Sequence, residues 1–311
     1  MMATEKKSGF KVLICIDGSA ESLKGIHYGA RLGSGTGAEI TILHIRTGDN
    51  HDINYSPSPG TNSNATNWGM SVAELRYLEE ARQALVSYEW MSGIWTEDVV
   101  RYFDGDHLNN FQICYKTRLG QKINLKLKSS HNVAAEILDE AHGGAYGLII
   151  IGASKFKRSL GRVFVSSEVQ KVVVHAPCSV LVARDLQEVH GHLICLDGSE
   201  RSYEMMLKDF ITASLCSYKV SLISVAPTPG DESSHKNIIA EGLKRLKELG
   251  YESQESIVVT GDPVEKIVDY GRKYSVIVVA ANDEGGLRRF FMGGTSFNIV
   301  LNAENSVMVV R

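Results

Sequence analysis

The chain has 311 residues, room for two domains at roughly 150 residues each. Its 22% charged and 43% hydrophobic residues are those of an ordinary globular protein, which excludes a disordered chain, a collagen and a coiled coil. With 33 basic and 36 acidic side chains the net charge is −3, so no basic field exists to hold a nucleic-acid backbone, and neither DNA nor RNA is an expected partner.

The first nine residues are polar and lack an apolar signal core, so export is not expected. No apolar run approaches the ~20 residues of a membrane helix, so the expectation is a cytoplasmic protein without membrane contact. Cys15, Cys114, Cys178, Cys195 and Cys216 form no CxxC pair and read as small buried hydrophobes of a reducing compartment.

In chain order, the apolar run Val12 to Ile16 predicts a first strand, closed by Asp17-Gly18-Ser19. A helix over 20–32 follows, with Leu23, Ile26 and Ala30 on one face. A second strand covers 40–45. Residues 47–69 are rich in Ser, Asn, Pro and Gly and read as a mobile loop. A second helix covers 72–90. The stretch 93–121 holds Trp95, Tyr102, Phe103, Phe111 and Tyr115, more aromatics than a free loop needs. It is expected to pack as helix or hairpin, with the other domain as a candidate surface. Asp104-Gly105-Asp106 within it is like the start of a calcium loop, but the later bidentate glutamate is missing and a turn is expected. Apolar runs at 148–153 and 179–183 predict two more strands.

The same unit then repeats. His192-Leu193-Ile194-Cys195-Leu196-Asp197-Gly198-Ser199 matches the first strand and its turn at an offset of 180, and Val220 to Val225 matches the second strand. Ile277 to Ala281 answers the strand at 148–153. Ser306-Val307-Met308-Val309-Val310-Arg311 answers Ser179-Val180-Leu181-Val182-Ala183-Arg184 at an offset of 127. The first copy, 1–185, therefore carries about 50 extra residues, at 47–69 and 93–121, that the second, 190–311, lacks. Tyr203, Met206 and Phe210 are expected to bury one face of the second copy's first helix, and Ile239, Leu243, Leu246 and Leu249 that of its second. Continuous β-branched strands alternating with helices predict an α/β fold, two tandem open parallel five-stranded sheets flanked by helices.

In such sheets ligands bind beyond the carboxyl ends of the strands, where the strand order reverses. Three features of each copy converge there: the aspartate after strand one, the end of strand two, and the loop after strand four. That loop is 152–167 in the first copy and 281–296 in the second. Small residues let a backbone approach phosphate, and a hydroxyl at a helix start adds a hydrogen bond. The Asp-Gly-Ser turn has a simpler alternative use, capping the helix that follows. His44 and His175 have no metal-ligand partners at suitable spacing and read as structural. His190-Gly191-His192 reads as linker. No metal site is expected.

These residues make the chain resemble the universal stress protein family in its tandem two-domain form. That family's nucleotide loop reads Gly, two residues, Gly, nine residues, Gly, Ser or Thr, and a His-Ala-Pro-Cys-x-Val-Leu-Val segment follows. His175-Ala176-Pro177-Cys178-Ser179-Val180-Leu181-Val182 matches that ending, which has drifted to Asn302-Ala303-Glu304-Asn305-Ser306-Val307-Met308-Val309 in the second copy. The resemblance implies a Rossmann-like fold of the adenine-nucleotide alpha-hydrolase type. It implies that Asp17 and Asp197 contact adenosine and Ile45 and Val225 contact adenine. It assigns phosphate contacts to Gly152, Ser154, Ser166 and Ser167 in one copy, and to Ala281, Gly293, Gly294 and Thr295 in the other. Both loops depart from the pattern: Lys155 and Glu284 replace the second glycine.

The implied function is an adenine-nucleotide (ATP or AMP) binding stress-response or regulatory protein, with magnesium present only alongside ATP. An intramolecular pseudo-dimer, a homodimer and an unidentified protein partner are the implied associations. No catalytic residue is assigned: no obvious general base stands beside the phosphate loop beyond Asp17 or Asp197, which the resemblance places at adenosine, so weak ATP hydrolysis is the most expected. Two alternatives stay open, a slow ATPase or nucleotide hydrolase and a dimerisation module that binds no nucleotide. The fifth strands are expected to form the contact between the copies. If one copy binds ATP, the Gly293-Gly294-Thr295 helix start favours the second.

Overall fold

A computed structural model describes residues 9–47, 72–88, 93, 95–98, 111–117, 120–153, 165–184, 191–281 and 294–311. The first copy runs β1 (Lys11–Ile16), α1 (Ala20–Thr36), β2 (Glu39–Arg46), α2 (Val72–Ser87), β3 (Trp95–Asp98), β4 (Phe111–Thr117), β5 (Lys122–Ser129), α3 (Val133–Gly144), β6 (Leu148–Gly152), α4 (Ser167–His175) and β7 (Ser179–Ala183). The second runs β8 (His192–Cys195), α5 (Glu200–Leu215), β9 (Val220–Ala226), α6 (Glu232–Glu248), β10 (Ser256–Thr260), α7 (Pro263–Gly271), β11 (Val276–Ala280), α8 (Thr295–Asn302) and β12 (Ser306–Val310). Among the described residues, no helix is long and apolar enough to cross a membrane.

Each copy contributes five parallel strands, as the β-branched runs predict. The two sets join in one twelve-stranded sheet, ordered β10-β9-β8-β11-β12-β7-β6-β1-β2-β5-β4-β3. Within each copy the order reverses between the first and fourth parallel strands, β1 and β6 or β8 and β11. Side chains of successive strand residues leave on opposite faces, so buried strands need cover on both. Ile26 of α1, Leu78 of α2, Met206 of α5 and Ile239 of α6 share one core layer. Ile137 of α3, Val172 of α4, Ile267 of α7 and Val300 of α8 share the other. Both layers run through the two copies without interruption.

The copies meet at β7 and β12, which pair antiparallel. Leu181 lies opposite Met308, its own counterpart in the repeat, with Val182 opposite Val307 and Val180 opposite Val309. A pseudo-two-fold axis therefore passes between Leu181 and Met308. The fifth strands form the contact, as expected from their apolar, otherwise open edges.

Three expectations are corrected. The described part of the extra segment lies in the sheet of the first copy rather than on the second. Its strands β3 and β4 are antiparallel and extend the sheet beyond β5, at the end farthest from β12. There Tyr115 is buried beneath the Arg82 guanidinium, 4.7 Å from the ring centroid. Of the four residues expected to bury one face of α6, only Ile239 and Leu246 are buried. Leu243 is on the exposed flank and Leu249, one residue past the helix, is 54% exposed. Gly242 takes the sheet-facing place between them, where an added Cβ would come within 2.9 Å of Leu196. His192 is not linker: it opens β8 and is 1% exposed. The loop read at 47–69 and the Asp104-Gly105-Asp106 turn lie outside the described residues, apart from Thr47.

Candidate functional site

The reversal points place Asp17 and the end of β6 together in one copy, and Asp197 and the end of β11 in the other. Both aspartates begin a tight turn. Gly18 (φ 81°) and Gly198 (φ 86°) occupy the left-handed region that favours glycine. Ser19 and Ser199 then cap α1 and α5, accepting from the amides of Ser22 and Ser202. The Ser19 amide donates to Asp17 Oδ1 at 2.9 Å. Burial pushes the Asp17 carboxyl up, but hydrogen bonds from Ser19 and Ser22 outweigh it and hold the group below its ordinary value. Asp197 Oδ1 accepts from both the amide (2.9 Å) and hydroxyl (2.6 Å) of Ser199. Its Oδ2 has no hydrogen-bond partner among the described residues. Capping and an outward carboxylate therefore coexist in the same turn.

The residues at the ends of strand two differ in access. Ile45 is half-buried against the α3/α4 layer. Val225 is 6% exposed, its side chain inside that layer. A ligand at Val225 would meet backbone rather than side chain.

On the opposite face, the copies carry different chemistry at matching positions. In the first, His44 Nδ1 donates to the Ile16 carbonyl at 2.9 Å. Its ring meets Tyr77 edge to face at 5.6 Å, and Tyr77 lies over Gly18, 2.8 Å from where a Cβ would stand. In the second, Ser224 replaces His44 and its hydroxyl bonds the equivalent carbonyl, Leu196, at 2.7 Å. An imidazole arrives from elsewhere, His235 of α6, 2.8 Å from the Ser224 hydroxyl. Ile238 covers Gly198 in place of Tyr77. The sequence reading missed this strip. The signal was present, as unlike residues at positions 44 and 224 of the repeat.

The helix starts differ more sharply. In α4, Ser166 caps the helix, accepting from the Val169 amide at 3.3 Å. Glu168 stands in the first turn, where its own amide and then the Ser167 hydroxyl, 2.9 Å away, hold its carboxyl below the ordinary value. A carboxylate already sits where an anion would bind. In α8, the cap is Gly294, with no side-chain cap bond and no acidic residue in the first turn. Ser296 donates to the Ala280 carbonyl instead, at 2.9 Å. No side-chain cap bond is made to the first amides of α8, and Thr295 is its first residue.

Strand register also corrects one pairing in the repeat. Gly152 lies opposite Ala183, and Ala280, not Ala281, holds the equivalent place opposite Val310. Ala281 is fully buried and its amide donates to the Val310 carbonyl, just as Ala153 donates to Ala183. Ser154 and Gly293 lie outside the described residues.

The family model for the universal stress protein family matches residues 10–184 and again 193–311. The chain belongs to the universal stress protein family. Two matched stretches within one chain make it a tandem member, in agreement with the single pseudo-symmetric sheet. Solved structures agree at the level of fold. A Pseudomonas aeruginosa UCBPP-PA14 protein described as a universal stress protein is 16% identical, covering 97% of this chain and 93% of its own, with a TM-score of 0.65. A universal stress protein from Archaeoglobus fulgidus DSM 4304 is 15% identical over 97% of this chain and 98% of its own, with a TM-score of 0.59. No curated protein matches the chain.

Proposed function

We propose that this universal stress protein binds an adenine nucleotide in its second copy and acts as a binding, regulatory protein. The observation that carries the reading is the contrast between the two helix starts. An α-helix leaves its first amides unpaired and concentrates positive potential there. At α4 that potential is already answered by Ser166 and Glu168. At α8 the glycine cap and the absence of a first-turn acid leave the amides to a phosphate. The Asp197 Oδ2 atom, across the same reversal point, is an acceptor for the hydroxyls of a ribose. Family membership supports the same ligand class, with magnesium arriving only with ATP.

The reading is of a binding protein rather than an enzyme. Asp197 is committed to its turn, and a carboxylate assigned to ribose is not also a base at phosphate. The location that accompanies this reading is the cytoplasm. Importing the first copy's acid tests it: Ser296→Glu places a carboxylate at the same helix position as Glu168. Calorimetry should show ATP binding lost in Ser296→Glu and kept in Ser296→Gln, which controls for the lost bond to Ala280. Undiminished binding in Ser296→Glu would reject the site.

A further inference from the structure

Arg46 ends β2 in the first copy and is 9% exposed. Its Nη2 donates to the Ser129 hydroxyl at 3.1 Å. Its Nε is buried with no partner, and it forms no ion pair among the described residues. A guanidinium out of water with one neutral partner is an uncompensated charge, which proteins rarely carry without a ligand or counter-ion. Arg184 differs in degree. That arginine, 1% exposed, also has an unpartnered Nε and no carboxylate among the described residues, but it is met by two carbonyls, Val300 of α8 at 2.6 Å and Asn305 just before β12 at 3.1 Å. Among the described residues Arg46 has no such cover.

Its position is that of a ligand group. Ile16 pairs with His44, so Arg46, two residues on, stands level with Gly18 at the carboxyl end of the sheet. Arg46 and His44 leave β2 on the same face, the one α2 covers with Tyr77. The His44 Nδ1 atom donates to the Ile16 carbonyl, which leaves Nε2 as the ring nitrogen not engaged by that bond. The second copy lacks the arginine: Ala226 stands at the Arg46 position, Ser224 with the His235 imidazole beside it at the His44 position, and Ile238 at the Tyr77 position.

We propose that the first copy holds a separate oxyanion subsite, with Arg46 as its cation and His44 and Tyr77 beside it, for the phosphate or carboxylate of a small hydroxylated metabolite. The tandem chain thereby carries two unlike sites. The second copy presents helix amides to a nucleotide phosphate, and the first presents a strand-borne arginine to a different anion. This proposal does not rest on nucleotide binding by the second copy.

The test is thermal unfolding of the full-length protein against increasing inorganic phosphate, acetate or citrate, with chloride at matched ionic strength as reference. A ligand that binds only the folded state raises the midpoint in a saturable way. Wild type should respond to at least one oxyanion, phosphate and carboxylate arms separating the two sources. Arg46→Met should lose that response, and without ligand should unfold no earlier than wild type, since an uncompensated buried charge has been removed. Arg46→Lys keeps the charge without the fork and should bind about tenfold more weakly. ATP binding by calorimetry should persist in both variants, which separates this site from the one at α8. No oxyanion response in wild type, or an equal response in Arg46→Met, would overturn the proposal.

Discussion

Arg184 and Arg311, equivalent residues of the two copies, each cross the pseudo-two-fold axis and cap the last helix of the other copy. Arg184 Nη2 donates to the Val300 carbonyl at 2.6 Å and Nη1 to Asn305 at 3.1 Å, at the end of α8. Arg311 Nη2 donates to Val173 at 2.7 Å and Nη1 to Cys178 at 3.4 Å, at the end of α4. Their backbone amides close the exchange, Arg184 onto Ser306 Oγ at 2.9 Å and Arg311 onto Ser179 Oγ at 3.1 Å. Cations at helix C-termini satisfy orphan carbonyls and favour the dipole. Arg184 is so enclosed that burial pulls it down to about 10.

The clamp should be asymmetric in energy because the two arginines differ in burial. Arg184→Met should cost about 2–3 kcal/mol, the worth of charge-assisted bonds lost in a dry setting. Arg311→Met should cost less, since the residue is partly exposed. Urea unfolding followed by circular dichroism measures both. Equal losses would mean that burial does not set the strength of these caps.

A second cross-copy contact is heterologous. His192 Nδ1 lies 2.8 Å from the Asp209 carboxylate, so Nδ1 carries a proton, and Nε2 lies 2.7 Å from the Tyr28 hydroxyl of α1 in a hydrogen bond. Tyr218 stacks on His192 at 5.0 Å and on Tyr28 at 5.7 Å. Tyr28→Phe keeps the ring and strands a buried imidazole nitrogen, a loss of about 1–3 kcal/mol. The paired variant Tyr28→Phe with His192→Phe should recover part of it. A single-variant loss under 0.5 kcal/mol, the ordinary scatter of surface changes, would contradict the accounting.

Acid should weaken the first copy through Glu140. Its carboxylate meets Lys126 at 2.7 Å, Lys128 at 3.0 Å and the Tyr146 hydroxyl at 2.8 Å. Burial pushes this carboxyl up, yet Lys126, Lys128 and Tyr146 hold it below its ordinary 4.5. A carboxyl depressed by folding stabilises above its unfolded value and loses that contribution as pH falls through the lower, folded one. Unfolding free energy should therefore fall below about pH 4.5, and less steeply in Glu140→Gln. The same slope in both proteins would remove Glu140 from the acid response.

The fold was legible because its signals repeat. Asp-Gly-Ser after an apolar run marks the same turn twice, and β-branched strands with amphipathic helices leave few other arrangements. The contact through β7 and β12 followed from apolar edge strands. The destination of 93–121 did not, because aromatics announce packing without naming the surface. Asp17 and Asp197 follow the first strand of each copy, as the motif reads, whereas Ala281 lies one residue beyond the strand position equivalent to Gly152. The change from glycine to alanine hides register that only strand pairing reveals. Arg46 escaped notice because a lone arginine at a strand end reads as a solvated face. Its burial and its missing partner are properties of three dimensions.

The central claim, one adenine-nucleotide site per chain in the second copy, is tested most directly by calorimetric titration of AMP into wild type, Asp17→Ala and Asp197→Ala. The account predicts a stoichiometry of one for wild type and Asp17→Ala, with binding weakened at least tenfold in Asp197→Ala. Loss of binding in Asp17→Ala with Asp197→Ala unaffected would contradict it.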